Sequence, residues 1–308
     1  MLGDPVAVEG WKLALRRLRR RRAAIAGLAI IATVTVLALA APLIVALGNH
    51  HPPNAIYPHT ALDARFGTPL GPNGSFWLGA DPSGRDLLTR ILYGARSSLL
   101  IAVAGTILTV ALGTAAGLVA GYLGRWADRA ISWLIDLVLA FPALLLALGI
   151  AGACGAGSRC LGGLVRPGLP LVVFIAGVVG WPPLARIVRA RVLSLRDEPF
   201  VEAARALGAG KGRILVRHIL PNIATPIITY ASLAVPSIIL LEAGLSFLGV
   251  GIRPPQPSWG RMIADSVATF RTSWWYFVFP GIFLVATVLA FRLLSEGLRD
   301  ALDPRAAA

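Results

Sequence analysis

AAIAGLAIIATVTVLALAAPLIVAL, residues 23–47, contains no charged or amide side chain, and its reading decides the class of fold. A helix rises about 1.5 Å per residue, so roughly 20 apolar residues cross the ~30 Å hydrocarbon core of a bilayer. Only a helix or a closed barrel satisfies its own backbone there. The basic block before this run (Arg16, Arg17, Arg19 to Arg22) and Ala38-Leu39-Ala40 within it imitate a cleavable signal peptide. A signal core, however, extends over only about 7 to 15 residues, whereas this run continues through Leu43, Ile44, Val45 and Leu47. It is therefore an uncleaved first span.

Working outward along the chain, five more segments meet the same test: Ser97 to Tyr122, about Ala130 to Ala153, Pro167 to Ile187, about Ile223 to Val250, and Thr272 to Leu294. None alternates apolar with polar as a barrel strand does. The expectation is an all-α integral membrane protein with six transmembrane helices. It divides into a basic tail (1–22), the first helix (23–47), an extracytoplasmic segment (48–96), a five-helix core (97–294) and a short tail (295–308). Composition agrees, since 56% of the 308 residues are hydrophobic and 14% charged. The net charge of +14 does not indicate nucleic acid, because the basic residues sit in blocks between uncharged runs. In the 48–96 segment Ser83 is placed to cap an interfacial helix carrying Leu87, Leu88, Ile91 and Leu92.

Residues able to do chemistry are sparse. The chain has no His-Glu-x-x-His and no Gly-x-Ser-x-Gly elbow. Leu207 to Gly212 imitates a phosphate loop, but Arg205 stands where its first Gly belongs and Gly212 where a Ser or Thr would hold magnesium. His50, His51 and His59 lack a regular ligand spacing and read as loop residues, so no metal and no cofactor is expected in this chain. Cys154 and Cys160 lack Cys-x-x-Cys spacing, and their outer-loop position permits a disulfide. Asp136 and Glu242 fall within spans, where a carboxylate is costly; the expectation is that each pairs with a neighbouring helix or subunit rather than forming a proton relay.

The longest connection with a basic excess, RARVLSLRDEPFVEAARALGAGKGRILVRHILPN (189–222), contains a short helix. Asp197 and Glu198 favour its positive end, Pro199 suits the first turn, and Gly208 ends it in a left-handed conformation. About two turns then project Glu202, Arg205 and an Ala-rich face as a rigid knob for a cytoplasmic partner.

Here the sequence resembles a known family. Glu202-Ala203-Ala204, then Gly208, then Ile219-Leu220-Pro221 look like the "EAA" loop of permease subunits in binding-protein-dependent ABC importers. The resemblance extends through GADPSGRDLLTRILYGARSSLL (79–100), GYLGRWAD (121–128), GWPPLARIVRARVLSLRDEPFVEAARALGA (180–209), LLEAGLSFLGVGIRPPQPSWGRMIAD (240–265) and GLRDALDPR (297–305). Together these are similar to the C-type subunit of the dipeptide, oligopeptide and nickel permease group. The resemblance implies a type I ABC importer permease fold, with a coupling loop at 188–221 in which Pro199, Glu202, Ala203, Ala204, Arg205, Leu207, Gly208, Leu220 and Pro221 engage an ATPase. It also implies a B-type permease partner, two ATPase subunits that bind the ATP and magnesium, an extracytoplasmic solute-binding protein, and a peptide or other small solute as cargo. Prolines 182, 183 and 221 can bend the helices that relay the movement.

Counting Lys and Arg by connection places 20 on one side and nine on the other. Cytoplasmic loops retain positive charge, so both termini are expected in the cytoplasm of a bacterial inner membrane. Reporter fusions after Arg22 and after Arg217 should therefore read cytoplasmic and one at Gly74 extracytoplasmic; a cytoplasmic reading at Gly74 would defeat the six-span topology.

Overall fold

The computed structural model describes residues 16–47, 51–155, 160, 163 and 165–302. Among these, five single helices are long and apolar enough to cross a membrane, and a pair bent by 93° meets the same test when its two helices are taken together. They are α1 (Arg22–Leu47), α2 (Leu87–Leu123), the pair α3 (Arg125–Ala140) and α4 (Ala143–Gly155), α5 (Leu169–Leu195), then α7 (Ala224–Phe247) and α9 (Trp275–Leu302). Between α5 and α7 lies α6 (Pro199–Ala206), and α8 (Trp259–Ser266) precedes the last span. The only β features among the described residues are three isolated bridges.

Four boundaries differ from the sequence expectation, each for a local reason. The expected interfacial helix is not separate, because α2 runs unbroken for 37 residues from Leu87. Its cap is Asp86 rather than Ser83: the Asp86 carboxylate accepts from the Leu88 N–H at 3.0 Å and from the Thr89 hydroxyl at 3.0 Å. Ser83 instead accepts from the Arg85 guanidinium, in a loop folded around the buried Asp81 carboxylate. The expected third span is two helices meeting at 93°. Pro142 crowds the residue before it out of the helical region, and Phe141 is accordingly extended at φ −91°, ψ 137°.

At the other two boundaries the helices outrun the hydrophobic runs. α5 continues past Ile187 to Leu195, carrying Arg186, Arg189 and Arg191 on helix rather than loop. α9 continues through the expected tail to Leu302. There the Asp300 carboxylate meets Arg21 at 2.7 Å, and a Cβ on Gly297 would stand 2.5 Å from that of Ala24, so the first and last helices close together at one end.

The bundle is organised by the contact of α2 with α5. Small residues recur every four positions on α2 (Gly105, Thr109, Gly113, Gly117, Gly121), and α5 answers at the same interval with Ala176, Gly180, Leu184, Val188 and Val192. Rows spaced by four lie along one ridge of a helix, so the two ridges run alongside each other in parallel. The approach is close: a Cβ on Gly117 would stand 2.6 Å from Val188 Cβ and 2.7 Å from the Ala185 carbonyl oxygen, and one on Gly113 2.8 Å from that of Trp181. Thr109 seals the seam by donating its hydroxyl to the Ala176 carbonyl at 3.1 Å. In lipid, where apolar burial gives no preference for helix over tail, such small-residue contacts supply the association.

Gly117→Val should force the seam apart and destabilise the chain by about 1–3 kcal/mol, the range for overpacking a tight interior. Gly149→Ala, where an added Cβ meets nothing within 4 Å, should be neutral. Thermal unfolding of the purified protein in detergent separates the two.

Candidate functional site

The loop after α5 is built onto the base of the α2–α5 seam. Val201 and Ala204 of α6 are buried in one cluster with Leu184, Val188 and Val192 of α5 and with Ile214, Ile219 and Ile223 of the return segment. The Arg205 guanidinium donates to the Arg196 carbonyl at 3.1 Å and lies 5.7 Å from the centre of the Tyr122 ring. Arg196 reaches the Gly121 carbonyl at 3.5 Å. Two turns of isolated helix do not hold their shape in water; these contacts supply the stability that the short helix lacks.

The termination of α6 follows from Gly208, whose φ of +79° belongs to the left-handed region. The Ala209 N–H returns to the Ala204 carbonyl at 3.0 Å and the Gly208 N–H to that of Arg205 at 2.9 Å, satisfying carbonyls the helix would leave open. The chain then re-enters the bundle through a four-residue helix (Lys211–Ile214), a π turn (Leu215–Ile219) and Leu220–Asn222, which contains Pro221. The Asn222 side chain donates to the His218 carbonyl at 2.7 Å across this irregular turn.

What remains outside is a compact tip. Phe200, Glu202, Ala203, Ala206 and Leu207 are exposed, and Leu207, 89% exposed, is the most open large apolar side chain of the described residues. Of the residues expected at the coupling surface, Pro199, Glu202, Ala203, Leu207 and Gly208 lie on this tip. Ala204 faces inward, Arg205 is turned back onto Arg196 and Tyr122, and Leu220 and Pro221 belong to the return segment.

The two intramembrane acids have different surroundings. Asp136 on α3 pairs with Arg186 on α5 at 2.7 Å, and both side chains are exposed. One step along, Asp128 pairs with Arg189 through both carboxylate oxygens, a second tie of α3 to α5 that sequence reading missed. Glu242 is fully buried and held by hydroxyls: Ser246 donates to one carboxyl oxygen at 2.7 Å and Ser98 of α2 to the other at 3.2 Å. Ser246 also accepts from the Ile252 N–H at 3.2 Å, and Ser258, the cap of α8, lies 3.5 Å from Ser246. Only Ser246, one helical turn from Glu242, was open to detection by spacing; Ser98 is 144 residues away.

At the other end of the bundle Cys154 and Cys160 are bonded, with Cα atoms 4.7 Å apart. His51 stacks against Tyr57 and Phe76 with ring centres 4.1 and 4.9 Å away, while His59 is exposed; His50 lies outside the described residues.

An all-helical, multi-pass chain with a short helix fixed rigidly beneath its central spans is the build of a transporter permease subunit. The model of the binding-protein-dependent transport system inner membrane component matches residues 113–308, and that of the N-terminal transmembrane domain of oligopeptide transport permease C matches residues 10–65. The chain belongs to the binding-protein-dependent transport system inner membrane component family. Similar proteins include the dipeptide transport system permease protein DppC of Alkalihalophilus pseudofirmus, 40% identical over 97% of this chain and 91% of the relative. The oligopeptide transport system permease protein OppC of Haemophilus influenzae is 36% identical over 96% of this chain and 88% of the relative. The OppC of Mycobacterium bovis is 37% identical over 95% and 94%. Among solved structures, a chain of the MetNI methionine ABC transporter in an inward-facing conformation superposes with a TM-score of 0.53 at 17% identity, covering 70% of this chain and 96% of that one. The fold is that of a type I ABC importer permease.

Because Glu242 is surrounded by donors, Glu242→Gln should leave thermal stability nearly unchanged. Glu242→Leu should lower it, with each stranded hydroxyl costing about 1–3 kcal/mol. Equal melting temperatures for the two variants would contradict the hydroxyl cage.

Proposed function

We propose that this chain forms half of the translocation pathway of an ATP-driven importer for dipeptides or oligopeptides and couples that pathway to cytoplasmic ATPases. In this reading it pairs with a B-type permease, two ATPase subunits bind the ATP and magnesium, and a solute-binding protein delivers cargo from outside. Both termini lie in the cytoplasm. The chain itself carries out no hydrolysis and holds no cofactor. Relatives named for dipeptide and oligopeptide transport support peptide cargo.

The observation that carries the coupling role is the fastening of α6. Val201 and Ala204 bury against α5, and Arg205 ties the helix to Arg196, while Phe200, Glu202, Ala203 and Leu207 stay exposed for a partner's cleft. A helix bonded to the base of α2 and α5 moves with them as one body, so closure of the ATPases beneath it is delivered to the spans.

The test uses the complete importer reconstituted with its binding protein. Gly208→Val costs about 1–2 kcal/mol of left-handed strain and should disturb the end of α6. Leu207→Asp and Glu202→Lys alter only the exposed tip and should leave the two permeases assembled. All three should lower transport, and the tip variants at least about tenfold, through lost ATPase docking or lost stimulation of hydrolysis by loaded binding protein. Wild-type transport and hydrolysis in both tip variants would remove the coupling role.

A further inference from the structure

The exposed faces of the spans are not alike. On α1 they present Ile25, Leu28, Val36, Leu39 and Leu43, on α2 Leu100, Val103, Ile107 and Leu112, and on α9 Ile282, Val285 and Leu289. Those surfaces suit lipid. The α3–α5 face also exposes apolar side chains, Trp133, Leu137 and Ile187 among them, but in their midst it presents an ion pair, Asp136 with Arg186 at 2.7 Å, with side chains 68% and 58% exposed. Arg186 follows Ala185, whose carbonyl faces Gly117, six residues or about 9 Å inside the end of α2. Asp136 stands one turn before the end of α3, next to the break between α3 and α4.

A second feature of the same face agrees. At that break the helical ladder is interrupted between two apolar helices, and Phe141, Pro142 and Ala143 are exposed. Broken backbone at membrane depth persists only where protein covers it or water reaches it, and exposed charge at that depth obeys the same restriction.

We infer that Asp136 and Arg186 line a water-filled section of the translocation path and form a contact station for the ammonium and carboxylate of a zwitterionic solute. The station rests on the peptide-import reading above. Its chemistry is reciprocal: the carboxylate of Asp136 takes an ammonium, and the guanidinium of Arg186 takes a carboxylate through paired N–H donors. The pair is suited to transient exchange because an exposed ion pair is weak and opens without leaving a buried charge behind, unlike a desolvated one. Asp128 and Arg189, more buried and joined through both carboxylate oxygens, hold α3 on α5 while the upper pair opens.

The complete importer in proteoliposomes, with its binding protein and ATP, provides the test. Asp136→Cys should react with a membrane-impermeant sulfonated maleimide and Leu112→Cys, on the lipid face, should not. The native cysteines are bonded to each other and do not compete. A saturating dipeptide during turnover should slow labelling at position 136 by about threefold or more. Asp136→Asn combined with Arg186→Gln leaves no lone charge, yet should lower the maximum transport rate about tenfold without changing the half-saturating concentration of loaded binding protein. Absence of labelling at position 136 overturns the aqueous path. Labelling that dipeptide does not slow, or a wild-type rate in the doubly neutral variant, overturns the solute contact. A wild type that carries no dipeptide overturns the peptide reading and the solute contact with it, whereas labelling at position 136 decides the aqueous path by itself.

Discussion

The two central helices, of 37 and 27 residues, meet along a line where α2 offers almost no side chain to hold them apart. Gly113, Gly117 and Gly121 let the α5 backbone and the Cβ atoms of Leu184, Val188 and Val192 approach directly. Each glycine in a helix costs about 0.5–1 kcal/mol relative to Ala. Close packing offsets that cost in a bilayer, where dispersion and hydrogen bonding between helices replace the hydrophobic effect. At the end where α5 leads into α6 the seam continues into the cluster that holds α6, so the projecting helix and the two spans share one interior.

Polar groups are arranged by depth around that seam. Thr109 is spent on the Ala176 carbonyl, and Glu242 on hydroxyls contributed by α2 and α7. Around the start of α2, Asp81 meets Arg85 at 2.8 Å and Arg90 at 3.3 Å, while Trp275 donates to the Ala80 carbonyl at 3.2 Å and Trp259 to that of Ile91 at 3.1 Å. Those bonds pin the loop before α2 and the helix α8 to the bundle. The ion pairs of α3 with α5 differ in exposure, and that difference separates a structural tie at Asp128 from an open charge pair at Asp136.

The legible parts of the sequence were those governed by local rules. Hydrocarbon thickness sets a minimum run length, so the six crossings could be counted from apolar stretches, and Pro199 and Gly208 bracketed α6 because helix ends have strong residue preferences. The break at Phe141-Pro142 could not have been read from the proline alone, because Pro42, Pro182, Pro183, Pro236 and Pro280 all lie inside unbroken helices. Ser83 was mistaken for the cap of α2 because several residues of 79–86 can cap. The choice of Asp86 followed from Asp81, whose carboxylate takes the N–H groups of Ser83 and Arg85 and so fixes the turn.

By itself the sequence determined that the chain crosses a membrane as helices and carries a short helix between its fourth and fifth crossings, because desolvating a backbone and ending a helix are costs set within a few residues. Which polar residues meet was decided only in the tertiary structure. Ser98 reaches Glu242 across 144 positions, and Arg186 reaches Asp136 across 50. Arg205, expected on the docking face, stays exposed but folds back along the helix because the ends of α2 and α5 place Tyr122 and the Arg196 carbonyl within its reach. Side-chain pairing across helices depends on the rotation and depth at which whole helices pack, and neither can be read from the residues next to the pair in sequence.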